Sequence, residues 1–251
     1  MTPVVIFSPI VRSGSTLLQR LLCSAPNTLI YGDSVGQEVE FFAHYGTTRE
    51  LMLRSQQSTI DPVRTLVLQG NVSEFITPLS PSLAGNLRGF QAAAETWIDV
   101  CRREALEAGR SIWGWKMAGA EPSSLARIAQ WYPDAKFIWI ERDLAACLSS
   151  AKAANMLEGE DQARALVNKA QACRQAFSNL SVNKLHLDYE AVLKSPEETV
   201  LQLEKFTGAK GIDLKVFDER INQFGNASYI SPTPLSREEE AATFTDKNCL
   251  I

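Results

Sequence analysis

The sequence predicts an α/β fold: a central parallel sheet with helices on both faces. Two observations carry that reading. Four short runs rich in β-branched and aromatic residues stand out as buried strands: Pro3–Phe7, Ser111–Trp115, Lys136–Ile140 and Val182–Leu187. Each is followed by a segment with helical periodicity, the alternation that builds a parallel sheet. The size agrees. The chain has 251 residues, 45% hydrophobic and 22% charged, which suits one α/β domain over 1–251. A chain of that size buries about 70–75% of its unfolded surface and needs no staples.

The elements follow in chain order. The first strand leads into Thr16–Cys23, whose Leu17, Leu18, Leu21 and Leu22 form a helix stripe stopped by Ser24-Ala25-Pro26-Asn27. Leu29-Ile30-Tyr31 reads as a short second strand. Residues 49–89 cluster Gly, Pro and Ser with weak periodicity, and are expected to be an irregular insertion forming an acceptor pocket or lid. Pro122–Trp131 carries Leu125, Ile128 and Trp131 three apart, and Pro133 ends it. Asp143–Met156 and Glu158–Phe177 read as two helices parted at Glu158-Gly159. Ser195-Pro196-Glu197-Glu198 opens a helix, with Ser as N-cap and Pro at its first position, that runs to Gly208. Residues 225–251 read as a loop-rich tail with Pro232, Pro234 and the acidic run Glu238-Glu239-Glu240.

Charge and composition exclude several classes. Lys and Arg total 25 against 29 Asp and Glu, a net charge of −4, so no nucleic-acid partner is expected. An anionic ligand must be held by a few local cations. The longest apolar runs are a few residues, against the ~20 needed to span a bilayer, so no membrane partner is expected. The five cysteines, Cys23, Cys101, Cys147, Cys173 and Cys249, are scattered and form no metal-spaced pair. They read as reduced thiols of a cytoplasmic protein. The chain enters a strand-like run at once, so no signal peptide is expected.

The chemistry starts after the first strand. Ser8-Pro9-Ile10-Val11-Arg12-Ser13-Gly14-Ser15-Thr16 joins a strand to a helix N-terminus, which makes an anion cradle. Gly14 permits close backbone approach, Ser15 and Thr16 add hydroxyl donors, and Arg12 adds a fixed charge. The loop lacks the lysine and glycine spacing of the triphosphate-binding motif. An ordinary turn with polar caps remains the alternative. The strand Lys136–Ile140 ends in Glu141-Arg142-Asp143, which puts Arg142 at the strand end where open α/β sheets bind ligands. Ser150 lies two helical turns on. A surface ion pair for Arg142 and a solvated helix face for Ser150 are the competing readings.

Together these residues resemble the sulfotransferases that use 3′-phosphoadenosine-5′-phosphosulfate (PAPS). Arg12-Ser13-Gly14-Ser15-Thr16 fits the family's phosphosulfate loop. Arg142, Asp143 and Ser150 fit its second motif, an Arg-Asp pair with a Ser eight residues beyond the Arg. Leu187-Asp188-Tyr189-Glu190 followed by Ser195-Pro196-Glu197 is similar to a segment whose Tyr lines the nucleotide site. Trp115-Lys116 and Tyr132-Pro133-Asp134-Ala135-Lys136-Phe137 resemble the tyrosylprotein and carbohydrate branches. The resemblance spans roughly Val4 to Gly208 and implies a P-loop-like fold. Three departures stand out. Val11 replaces the usual Pro, the glycine-rich C-terminal nucleotide loop is not recognisable, and the helix after Ser150 offers Lys152 but no Arg.

The resemblance implies sulfuryl transfer from PAPS as co-substrate, with no metal required, onto a hydroxyl or amine. Arg12, Ser13, Gly14, Ser15, Thr16, Arg142, Ser150 and Tyr189 would bind the donor. Arg12 and Lys116 would face the leaving oxygen, with Lys116 placed just after the strand Ser111–Trp115; a surface lysine with a buried stem is its alternative. A carboxylate base is implied about twenty residues beyond the loop's basic residue, and Asp33 lies 21 beyond Arg12. An N-cap role for Asp33 competes, as do Glu38, Glu40 and His44 as bases; His186, within a strand, should be structural. The acceptor partner is a small molecule, carbohydrate or peptide, with Trp97, Trp113, Phe41 and Phe42 as pocket walls or core, and a homodimer is left open. The rivals are a kinase of related fold and a degenerate, non-catalytic binder.

Overall fold

Val4–Ser8 is buried at every position, as a central parallel strand requires, because helices cover both of its faces. A computed structural model describes residues 2–73 and 75–219. Within them β1 (Val4–Ser8), β2 (Thr28–Tyr31), β3 (Ile112–Ala118), β4 (Lys136–Glu141) and β5 (Asn183–Asp188) form one sheet in the order β2-β3-β1-β4-β5. Every pairing is parallel. The helices are α1 (Ser15–Ser24), α2 (Asp33–Leu68), α3 (Leu83–Glu107), α4 (Pro122–Trp131), α5 (Leu144–Ala153), α6 (Gly159–Asn179), α7 (Tyr189–Lys194) and α8 (Pro196–Thr207), with a 3₁₀ turn at Leu214–Phe217. The expected tail at 225–251, with Cys249, lies outside the described residues.

Alternation along each strand divides the core in two. On one face Val5, Phe7, Trp113, Trp115, Met117, Phe137 and Trp139 meet side chains of α2, α3, α4 and α6. On the other, Val4, Ile6, Ile30, Ile138 and Ile140 meet Leu18, Leu21 and Leu22 of α1 and Val200 and Leu203 of α8. Lys116 belongs to this second face by strand parity. The chain leaves β1 toward β2 and leaves β4 toward β5, on opposite sides. The C-terminal ends of β1 and β4 therefore flank the topological switch point, where such sheets bind ligands.

Four expectations need correction. Residues 49–89 are largely helical: α2 runs without a break to Leu68 and α3 begins at Leu83, so only the connection between them is irregular. Buried Val39, Gly46, Leu53 and Ile60 repeat at seven-residue spacing, with Ala43 between the first two, a thin seam that leaves a polar, Ser- and Gln-rich exterior. β3 extends to Ala118, so Lys116 lies inside the strand and not after it. Ser195 stands at the N-cap of α8, but its hydroxyl makes no cap hydrogen bond. His186 lies in β5, yet its side chain is 61% exposed, because β5 is the sheet edge. Trp113 and Phe42 are core residues, whereas Phe41 is exposed.

Candidate active site

The loop between β1 and α1 turns on two left-handed residues, Arg12 (φ 69) and Gly14 (φ 97), the second being the N-cap of α1. A side chain at Gly14 would strike the ring of Tyr189, so glycine serves here both the backbone angle and the contact. Tyr189 opens α7 and lies between Gly14 and the Arg142 guanidinium, 4.6 Å from its ring centroid. The first-turn amides of α1 lack intrahelical acceptors by construction. Beside them, the Ser13 hydroxyl is fully buried with no hydrogen-bond partner. A buried hydroxyl left unpaired is costly, and an anion oxygen seated in the loop would satisfy it.

Two polar clusters flank this loop. In the first, the buried Lys116 ammonium donates to Asp33 Oδ2 at 2.6 Å and to Thr16 Oγ1 at 3.1 Å. Asp33 is the first residue of α2, where the helix dipole favours a carboxylate; the N-cap itself is Gly32, so the capping alternative for Asp33 does not hold. Asp33 Oδ1 is buried without a partner. In the second cluster, Arg12 Nε donates to Ser150 Oγ at 3.0 Å, and an Arg142 terminal nitrogen donates to the Arg12 carbonyl at 3.3 Å. Glu190 lies 3.7 Å from Arg142 Nε. Cys147, on the buried side of α5, has its thiol pushed up to about 11 by burial, against the lowering pull of Arg142.

The structure thus joins Asp33, Thr16 and Lys116 on one flank and Arg12, Arg142, Ser150 and Tyr189 on the other, around Ser13, Gly14 and Ser15. It does not bring in the rival bases. Glu40 accepts the backbone N–H of Glu121 at 2.5 Å, ahead of α4. Glu38 and His44 are exposed on α2. Arg142 pairs with neither Glu141 nor Asp143 among the described contacts: Glu141 binds Arg174 and the Trp139 indole N–H, and Asp143 caps α5. The sequence reading missed Gly36. A side chain there would strike the Lys116 carbonyl, so its absence lets α2 approach β3 and sets the Asp33–Lys116 distance. A glycine three residues after a helix-starting acid is the signal that pointed to it. Glu190, next to Tyr189, was also missed.

The sequence profile of the sulfotransferase family matches residues 3–213. The chain belongs to the sulfotransferase family. A comparison with curated proteins gives no match. Among solved structures, this sulfotransferase is similar to the sulfotransferase domain from the Synechococcus PCC 7002 olefin synthase, at 15% identity and a TM-score of 0.51, covering 86% of this chain and 76% of that one. It is also similar to the sulfotransferase domain from the curacin biosynthetic pathway, at 16% identity and a TM-score of 0.50, covering 85% and 76%. At these identities the likeness concerns the fold. Among the described residues of the sulfotransferase, no three His, Cys, Asp or Glu side chains are placed to share a metal ion.

Proposed function

We propose that this sulfotransferase moves a sulfuryl group from PAPS to a hydroxyl or amine acceptor, with Asp33 as general base and Lys116 as the cation beside the reacting groups. The observation that carries the reading is the Asp33–Lys116–Thr16 cluster set against the buried, unpartnered Ser13 hydroxyl at the α1 N-terminus. Donor set and ligand agree: N–H groups, hydroxyls and two guanidiniums suit a phosphosulfate with a further phosphate. Bound there, PAPS supplies an activated sulfuryl group on a phosphate leaving group.

The chain's own residues then have separate tasks. Ser13, Gly14, Ser15 and Thr16 hold anionic oxygens through backbone and hydroxyl donors. Sulfuryl transfer resembles phosphoryl transfer, an in-line displacement through a loose transition state that loads charge onto the leaving oxygen. Lys116, buried and already oriented by Thr16, offers a preorganised positive charge for that oxygen. Asp33 presents an anionic carboxylate at the mouth of the same crevice, where it can take the acceptor's proton. Lys116 bonds only Oδ2, and the Asp33 side chain stays 44% exposed, which leaves the carboxylate within reach of an acceptor.

The test is turnover of sulfate-labelled PAPS across alcohols, phenols, sugars, amines and tyrosine peptides, paired with thermal melting. Adenosine 3′,5′-bisphosphate at 100 times its Kd should stabilise the fold by about 2.7 kcal/mol, and ATP with Mg²⁺ much less. Equal shifts would favour the kinase reading. Binding without turnover on any acceptor would favour a degenerate binder.

A further inference from the structure

We propose that the outward face of α2 is a dimer interface. It pairs antiparallel with the same helix of a second copy of this chain, about a two-fold axis between Leu53 and Arg54, independently of what the active site binds.

α2 has 36 residues, and beyond Arg49 only its Leu53 and Ile60 are buried. A helix in water is held mainly by the packing of a face, so a second layer on the free side would suit it. Two residues beyond each member of the buried seven-residue seam, about 200° round the helix, a second seven-residue pattern faces outward. It starts at Phe41 and Tyr45, whose rings stack at 6.3 Å and which are 62% and 47% exposed, and it includes Met52, 48% exposed. Steps of four and three carry it on to Leu66, and no charged residue lies on it. Neighbouring charges pair within the chain, Arg54 with Glu50 and Arg64 with Asp61. An exposed, uncharged stripe with this spacing is the seam of a two-stranded coiled coil.

The stripe offers no counter-charge, so its partner must be uncharged too, and the stripe itself meets that condition. In an antiparallel pair the steps match in reverse order about one two-fold axis. Phe41 faces the partner's Leu66, and Tyr45 faces the partner's Pro62. Thr48 faces the partner's Thr59, and Met52 faces the partner's Ser55. The two threonine hydroxyls can bond each other in their layer, whereas a lipid surface would leave them unpaired. The flanks agree. Arg49 is the one flanking residue between Phe41 and Leu66 with a fixed charge, and it faces the partner's Gln56; Leu51, 65% exposed, faces the partner's Ser58. A parallel pair would instead set Arg49 against the partner's His44 and align two helix dipoles. The stripe is about 38 Å long on a helix about 10–12 Å wide, a footprint of about 800–900 Å² over both copies before side chains interdigitate, near the ~1,000 Å² of a specific interface.

Sedimentation velocity on the full chain tests this. Wild type should run as a dimer at about 50 µM and dissociate on dilution, as an interface near the lower size limit does. Met52→Glu puts a carboxylate on each side of the axis and should raise the dimer Kd at least about 100-fold. Phe41→Glu and Leu66→Lys should each weaken the dimer about tenfold or more. Together in one chain they should restore it to within about tenfold of wild type, because each glutamate then faces a lysine of the partner. In a parallel pair each would face its own kind, and the double variant would not recover. Melting followed by circular dichroism checks that the variants fold; if Met52→Glu unfolds, Thr48→Glu carries the same test. A wild type that stays monomeric at about 50 µM, within reach of an interface of this size, overturns the assignment, whatever else the stripe then binds. So does a dimer that Met52→Glu leaves intact, because its interface lies elsewhere. A double variant no tighter than the single ones overturns the antiparallel pairing.

Discussion

Replacing Gly36 by alanine adds one methyl group where α2 crosses β3. The new carbon would overlap the Lys116 carbonyl oxygen and lie 3.1 Å from Met117 Cγ and from the Lys116 carbonyl carbon. The obstacle is mainly backbone of a central strand, so the helix must give way, by about an ångström to restore ordinary contact distances. Asp33 stands one turn earlier on that helix, and its 2.6 Å bond to Lys116 would open. Overpacking costs about 1–3 kcal/mol, while the gain in helix propensity returns about 1 kcal/mol. Net destabilisation of up to about 2 kcal/mol is expected, with turnover down about 100-fold, the usual cost of an ångström of misplacement at a reacting centre. Gly89→Ala is the matched control: it too lies inside a helix, with nothing within 4 Å of the added carbon. It should stabilise by about 0.5–1 kcal/mol and leave turnover alone. Urea denaturation and labelled-sulfate turnover read both quantities. If Gly36→Ala behaves like Gly89→Ala, the close approach does not set the site.

Asp33→Asn keeps the shape and removes the charge, so turnover should fall about 10²–10⁴-fold with bisphosphate affinity near wild type; near-normal turnover on a confirmed acceptor would exclude Asp33 as the base. Gly14→Ala puts a side chain at φ 97 and into the Tyr189 ring, so calorimetry should show at least about a tenfold loss of bisphosphate affinity, with about 1–3 kcal/mol of stability lost; wild-type affinity would show that the loop is not the cradle. Burial pushes Cys147 up to about 11, and Cys173 and Tyr31 to about 12, so the folded chain keeps protons that the unfolded chain releases near pH 8.5 for thiols and about 10 for tyrosine. Their stabilisation is complete below those values and drains away as pH rises toward 11–12; a urea midpoint flat from pH 8 to 11 would contradict this.

Much of the fold was legible because its signals are local. A short continuous apolar run such as Val4–Phe7, rich in β-branched residues, favours a doubly covered strand, and Ser13-Gly14-Ser15-Thr16 before a leucine stripe favours a helix start. Asp33 was singled out by its place 21 residues beyond Arg12 and just after the strand-like Leu29-Ile30-Tyr31. α2 was missed beyond Arg49 because there only Leu53 and Ile60, seven residues apart, are buried, which leaves little periodic signal. The extension of β3 through Lys116 was missed because a lysine in a central strand makes sense only once Asp33 and Thr16 stand beside it, and both come from distant stretches of chain. The Arg12 side chain meets the Ser150 hydroxyl, 138 residues away, and its carbonyl meets Arg142; the loop's own sequence encodes neither contact.

The two faces of the sheet also differ as optical reporters. All five tryptophans, Trp97, Trp113, Trp115, Trp131 and Trp139, pack into the layer formed with α2, α3, α4 and α6, and the opposite core cluster contains none. Indole fluorescence will therefore follow the loosening of that layer and stay nearly silent if α1 and α8 come away alone. Circular dichroism in the amide region sees both layers equally. A denaturation curve that shifts between the two signals would reveal a partly opened state in which the phosphate-facing side of the sheet has let go first.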